Sequence, residues 1–250
     1  ITDGTNSQNI TSGTTSFAFP ALASGTVYGV AVTTQPTTPS QTCSVTNGAG
    51  TLTNANVTNV SINCVKNQYT VGSSPTGLTG YTGSGLQITD GSNLVTVAAG
   101  ATDFTFPARD SGSAYTVAVV TQPTSPAQSC SVTNGTGTIA AANITNVAIN
   151  CVTATYTVGG TITGLSGSNM VITDGTNSLG PLAVGATTFT FPARASGSGY
   201  AVAVSTQPSG APANVWQTCS VTNGAGTIGS SNITNVVINC ATSTYTVGGT

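Results

Sequence analysis

The stretch "TCSVTNGAGTLTNANVTNVSINC" at residues 42–64 returns as "SCSVTNGTGTIAAANITNVAINC" at 129–151 and as "TCSVTNGAGTIGSSNITNVVINC" at 218–240. Every copy is 23 residues long, and its two cysteines lie 21 positions apart, so Cys43 and Cys64, Cys130 and Cys151, and Cys219 and Cys240 form three equivalent pairs. A length that admits no insertion implies that both ends of the stretch are held in place. Three such pairs without a CxxC metal or redox motif predict disulfides and an oxidising, extracytoplasmic compartment. Bonding within a copy competes with bonding between successive copies or neighbouring chains, and the invariant spacing inside one turn-rich element favours the former. A bridge across 21 positions removes roughly 3 kcal/mol of denatured-chain freedom, a large share of a small module's stability.

Aligned on the cysteines, the repeat covers the whole chain with a period of 84 to 89 residues. "YTVG" begins at Tyr69, Tyr156 and Tyr245, "ITDG" at Ile1, Ile88 and Ile172, and the "F-x-F-P" element at Phe17, Phe104 and Phe189. The predicted units are therefore 1–64, which lacks its opening strand or strands, 69–151, 156–240, and an opening strand at 245–250. Hydrophobic residues alternate with period two and show no helical period. Tyr28, Val30 and Val32 share one strand face, as do Tyr115, Val117, Val119 and Tyr200, Val202, Val204. Val60, Ile62 and Cys64 do the same in the last strand of the first unit, as do Val147, Ile149, Cys151 and Val236, Ile238, Cys240. Asn47-Gly48, Asn134-Gly135 and Asn223-Gly224 read as type I′ hairpin turns, and so do Asp3-Gly4, Asp90-Gly91 and Asp174-Gly175.

About seven short strands per unit predict an all-β chain, a tandem array of antiparallel immunoglobulin-like sandwiches with one disulfide in each. Phe17, Phe19, Phe104, Phe106, Phe189 and Phe191 are expected to fill cores that are otherwise mainly valine. The connectors "VKNQ", "VTAT" and "ATST" are four residues each and contain no Gly or Pro, which predicts stiff end-to-end stacking.

The "FTFPARASGSGYAVAV" segment, the leading "YTVGGTITGLSG" and the closing cysteine-bounded hairpin resemble the tandem immunoglobulin-like repeats of large secreted and surface proteins of bacteria. The "F-x-F-P … G-x-x-Y-x-V-x-V" element is also similar to the prealbumin-like repeats of collagen-adhesin stalks. There a Lys, an Asn and an acidic residue can form an isopeptide bond; here Glu is absent and the single Lys66 lies in a connector. The resemblance implies a surface stalk, adhesin or fibre, with disulfides in the stapling role.

Charged residues are 3% of the chain: Lys66, Arg109 and Arg194 against Asp3, Asp90, Asp103, Asp110 and Asp174. Three scattered cations cannot neutralise a phosphate backbone, so nucleic acid is not an expected partner, nor is an anionic membrane. The sequence has no apolar run of about 18 residues suited to a bilayer. Without histidine, Ser-His-Asp and Cys-His arrangements are impossible. Lys66 lies in a connector with no surrounding pocket, and Asp103 and Asp110, the one carboxylate pair, read as solvated. "TDGTN" and "TDGSN" supply one carboxylate per unit, too few for calcium, and read as turns. No enzyme activity, cofactor or metal is expected. Sequons at Asn9, Asn56, Asn59, Asn134, Asn143 and Asn232 are weak signals in a chain rich in Asn and Thr.

Trp216, in the extended loop "SGAPANVWQT", is a candidate sugar contact or a cover for a junction between units. Tyr245, Thr246 and Val247 open a strand with no unit behind it, and two explanations stand side by side: an excerpt from a longer array, or donation of the strand to a neighbouring chain. The expected function is a stiff extracellular fibre, filament or stalk at a bacterial surface, its partners other copies or repeats arranged head to tail. The alternative is an adhesin segment whose loops contact glycans or a cell surface.

Overall fold

The computed structural model describes residues 1–210 and 215–250, and the described residues form short strands and no helix. Strands form where the sequence alternates. Tyr115 and Val117 are buried while Thr116 between them faces solvent, and Ile149 and Cys151 are buried on either side of exposed Asn150 in the last strand of the second repeat.

The third repeat shows the sheet most fully. A four-stranded sheet runs in the order Thr188–Thr190, Val158–Thr163, Ile233–Thr242, Gln217–Thr222. Its opening strand, Val158–Thr163, is antiparallel to Thr188–Thr190 and parallel to Ile233–Thr242. The first strand of the repeat thus lies against its last, a pairing that closes the largest loop available. A second sheet places Val171–Thr173 between Ser178–Leu179 and Ala203–Thr206. Val158, Ile162, Met170, Ile172, Phe191 and Ile238 are buried together between these elements.

The second repeat follows the same plan with a broken opening strand. Val71 bridges Ile144 in parallel, Gly72 bridges Thr105 antiparallel, and Leu78–Thr79 pairs in parallel with Ala148–Thr153. Val71, Leu86, Ile88, Phe106, Ile139 and Ile149 form its core. In each cysteine-bounded stretch the two sulfur-bearing residues face each other in antiparallel register, and Cys43–Cys64, Cys130–Cys151 and Cys219–Cys240 are all disulfide-bonded. Their Cα atoms lie 3.9 to 4.0 Å apart.

Two expectations about turns are corrected. Asn47, Asn134 and Asn223 adopt φ of 56°, 54° and 55°, but the glycines after them are not left-handed, so these are not type I′ turns. Nor do they close hairpins: Gln41–Thr46 pairs with Ser61–Lys66, whereas Ala49–Thr51 pairs with Val27–Gly29. The Asn-Gly step is a corner that carries the chain from one sheet to another. Gly48 is needed there because a Cβ would stand 2.8 Å from the Val30 carbonyl oxygen. At the Asp-Gly steps the glycine takes the positive φ, 92° at Gly91 and 90° at Gly175, as in a type II′ turn.

A third correction concerns Phe17 and Phe19. Phe106 and Phe191 are each 1% exposed, but Phe17 and Phe19 are only half-buried. Among residues 1–64 the buried apolar set reduces to Cys43, because no strand lies over the phenylalanines on their open side.

A Cβ on Gly160 would collide with the Val236 carbonyl oxygen of the parallel neighbour. Since the obstacle is backbone, a Gly160→Ala substitution should cost at least about 3 kcal/mol in urea unfolding of the third repeat. A loss below about 1 kcal/mol would show that the pairing tolerates a wider spacing.

Candidate functional site

The first repeat contains an open groove of about 710 Å³ between the "FAFP" segment and residues 53–60. Phe17, Phe19, Tyr28, Val57 and Val60 contribute its apolar surface. Its walls are already set. Phe17 and Phe19 meet edge to face at 5.8 Å and 75°, matching 5.8 Å and 77° for Phe104 and Phe106 and 5.7 Å and 77° for Phe189 and Phe191. In the other two repeats the same space is filled by the opening strand, where Val71 and Val158 are each 1% exposed. The groove thus corresponds in position to the opening strand of the other two repeats. Gln41 is the counterpart of Gln128 and Gln217, which bind the loop after the opening strand by accepting N–H bonds from Thr82 and Gly83 or from Ser166 and Gly167.

At the opposite end of the chain, residues 245–250 carry no strand pairing, with Tyr245 79% and Val247 103% exposed. Trp216 is 58% exposed and accepts a hydrogen bond from the Ser243 N–H. Ser40 and Ala127 accept the same bond from Asn67 and Ala154, which identifies Trp216 as their counterpart. Residues 211–214 of its loop lie outside the described residues.

Ser40 and Ala127 mark the two junctions between repeats. The Ser40 N–H donates to Ser111 Oγ at 2.8 Å and the Ala127 N–H to Ser196 Oγ at 2.9 Å, each across the boundary into the next repeat. Ser111 and Ser196 in turn donate N–H bonds back to the connector carbonyls of Asn67 and Ala154. Gln68–Tyr69 pairs with Arg109–Asp110, and Thr155–Tyr156 with Arg194–Ala195. The connectors are therefore strand-like and tied on both sides. Asp110 accepts from Gln68 Nε2 at this boundary, while Asp103 is exposed.

The Asp-Gly turns hold their carboxylates with their own chain. Asp90 Oδ1 accepts the N–H groups of Ser92 and Asn93, and Oδ2 accepts Asn93 Nδ2. Asp3 and Asp174 repeat the pattern. Arg109 Nη1 stands 3.4 Å from Asp90 Oδ2 and Arg194 Nη1 3.5 Å from Asp174 Oδ2. All three carboxyls are held below the ordinary aspartate range. At Asp3 the Asn6 N–H has the largest effect and burial works against it. At Asp90 and Asp174 burial is the largest influence and pushes upward, but the turn donors and the guanidinium together outweigh it.

Sequence reasoning missed the glutamines of the "QP" steps. Gln35 Oε1 accepts the Cys43 N–H at 2.7 Å and its Nε2 donates to the Cys43 carbonyl at 3.2 Å, so the amide pairs with the strand as a neighbouring backbone would. Gln122 on Cys130 and Gln207 on Cys219 do the same. Recurrence of "QP" in all three repeats was the available signal. The Asn143 and Asn232 side chains of two sequons accept the N–H groups of Thr70 and Thr157 in the opening strands. No protein family and no curated protein matches the chain in sequence.

Because the folded-state pKa values of Asp3, Asp90 and Asp174 are depressed, the stability they contribute is fully present above the unfolded value, about 3.9. It is lost as pH falls from there through the lower folded values. The melting temperature should therefore drop below about pH 4, and the acid limb should shrink in an Asp90→Asn, Asp174→Asn double variant. An unchanged acid limb in that variant would count against the turns.

Proposed function

We propose that this chain is a non-enzymatic, extracellular structural protein: tandem immunoglobulin-like sandwiches, each stapled by its own disulfide, stacked into a stiff stalk or filament at a bacterial surface. The observation that carries this reading is the junction. Both boundaries use the same serine, the same connector carbonyl and the same two-residue strand pair. A tether of independent beads has no use for such bonds, whereas a spacer that must keep its reach does. The low charge supports the same reading, since three basic residues offer trypsin-like proteases few sites. The disulfides suit an oxidising exterior.

The adhesin reading rests on Trp216, whose exposed indole could stack on a sugar. Its position as the counterpart of Ser40 and Ala127 instead supports a contact with a following repeat.

Single-particle images of the isolated chain should show straight rods with an axial spacing of about 35 to 45 Å per repeat, the length of strands of roughly 8 to 10 residues plus their turns. Freely bent chains of beads or compact particles would remove the stalk reading. Verified reduction of the three bridges should destabilise each repeat by roughly 3 kcal/mol and lower the melting temperature sharply. Unchanged melting would exclude the stapling role.

A further inference from the structure

We infer that residues 245–250 of one copy of this chain fill the open groove in the first repeat of a second copy, so that copies join head to tail by strand donation. The inference builds on the stacked-repeat reading and names the partner.

The donor is defined by identity. Residues 245–250, "YTVGGT", repeat residues 156–161 letter for letter, and the latter lie in the corresponding groove of the third repeat. Transferring their register gives the contacts of the donated strand. Tyr156 pairs with Arg194, Val158 with Ile233, and Gly160 with Phe189 on one side and Val236 on the other. In the intermolecular joint Tyr245 then faces Leu22, Val247 faces Val57, and Gly249 lies between Phe17 and Val60. Val57 is 37% exposed and awaits cover. The Phe191 N–H donates to the Val158 carbonyl and the Thr157 N–H to Asn232 Oδ1. The matching groups, the Phe19 N–H and Asn56 Oδ1, stand ready for Val247 and Thr246.

The glycines sharpen the assignment. In the third repeat the wall leaves no room for side chains at two consecutive positions: a Cβ on Gly159 would meet the Phe189 carbonyl oxygen, and one on Gly160 the Val236 carbonyl oxygen. The second repeat keeps the first of these glycines as Gly72, where a Cβ would meet the Phe104 carbonyl oxygen, and carries Ser73 at the second. Gly248 and Gly249 match the third repeat at both positions and have nothing within 4 Å themselves.

A second contact is independent of the strand. Ser24 is the counterpart of Ser111 and Ser196, and it already donates to the Thr53 carbonyl as they donate to those of Ala140 and Gly229. Its lone pairs are thereby aimed as in the two built junctions, where they accept the N–H of Ser40 or Ala127. The Trp216 N–H is the corresponding donor, and the exposed indole would be covered in the joint. Because the donated strand and the groove are different surfaces, the contact is heterologous and its repetition gives an open filament rather than a closed dimer.

Sedimentation velocity of the full chain over a wide range of concentration tests this, alongside Gly248→Val and Val247→Asp, both in the exposed tail. The wild type should form a ladder of oligomers that lengthens with concentration. Either substitution should weaken association by more than about a hundredfold without changing the melting of the monomer. A synthetic peptide with the sequence of residues 155–165 should bind the chain and disperse the ladder. A wild type that stays monomeric throughout would overturn the inference. Peptide binding in that case would assign the groove to a strand from elsewhere in a longer polypeptide. Oligomers that persist equally in Gly248→Val would also overturn it by locating association on another face. The stalk reading is judged separately, from the straightness of monomeric particles, so one can fail without the other.

Discussion

The pairing of a repeat's first strand with its last is the contact on which the rest of the structure depends. In the third repeat Val158–Thr163 lies between Thr188–Thr190 and Ile233–Thr242, and the core forms beneath it. In the first repeat the same walls stand without that strand, and nearly every apolar side chain stays half-covered. The comparison takes place within one chain, between stretches of nearly the same sequence, so composition cannot explain the difference. What is missing is apolar burial on one side of the phenylalanine pair, together with the backbone partners that six extended residues would bring.

The sequence made the strands and the cysteine pairs legible because each is a local or periodic signal. Tyr115, Val117 and their counterparts alternate, and alternation specifies a half-buried strand whichever neighbour it finds. Pairing partners were harder to see. Asn47-Gly48 carries the local preference of a hairpin turn, yet its flanking strands belong to different sheets, because partner choice is decided by distant residues such as Val27 and Ser61. The same limit hid the roles of Gln35 and Gln128. A buried amide that satisfies a strand edge or a loop looks, in sequence, like any polar residue near a turn.

The repeats also differ where their neighbours differ. Arg109 and Arg194 reach back to Asp90 and Asp174, while the first repeat places Leu22 at that position and leaves Asp3 to its turn donors alone. An arginine there completes an ion pair at the rim of a filled repeat. A leucine adds apolar surface beside an open groove, where a guanidinium would have to give up water to any strand laid across it.

The glutamine on each cysteine strand has a consequence for how such chains behave in a crowd. Gln41–Thr46, Gln128–Thr133 and Gln217–Thr222 lie at sheet edges, and threonine- and valine-rich edges are natural templates for cross-β growth. With the Cys43, Cys130 and Cys219 backbone groups already engaged by a side-chain amide, an incoming strand finds its ladder interrupted at the centre. In this nearly uncharged protein the edge is thus blocked to strand addition by three side-chain amides rather than by charge.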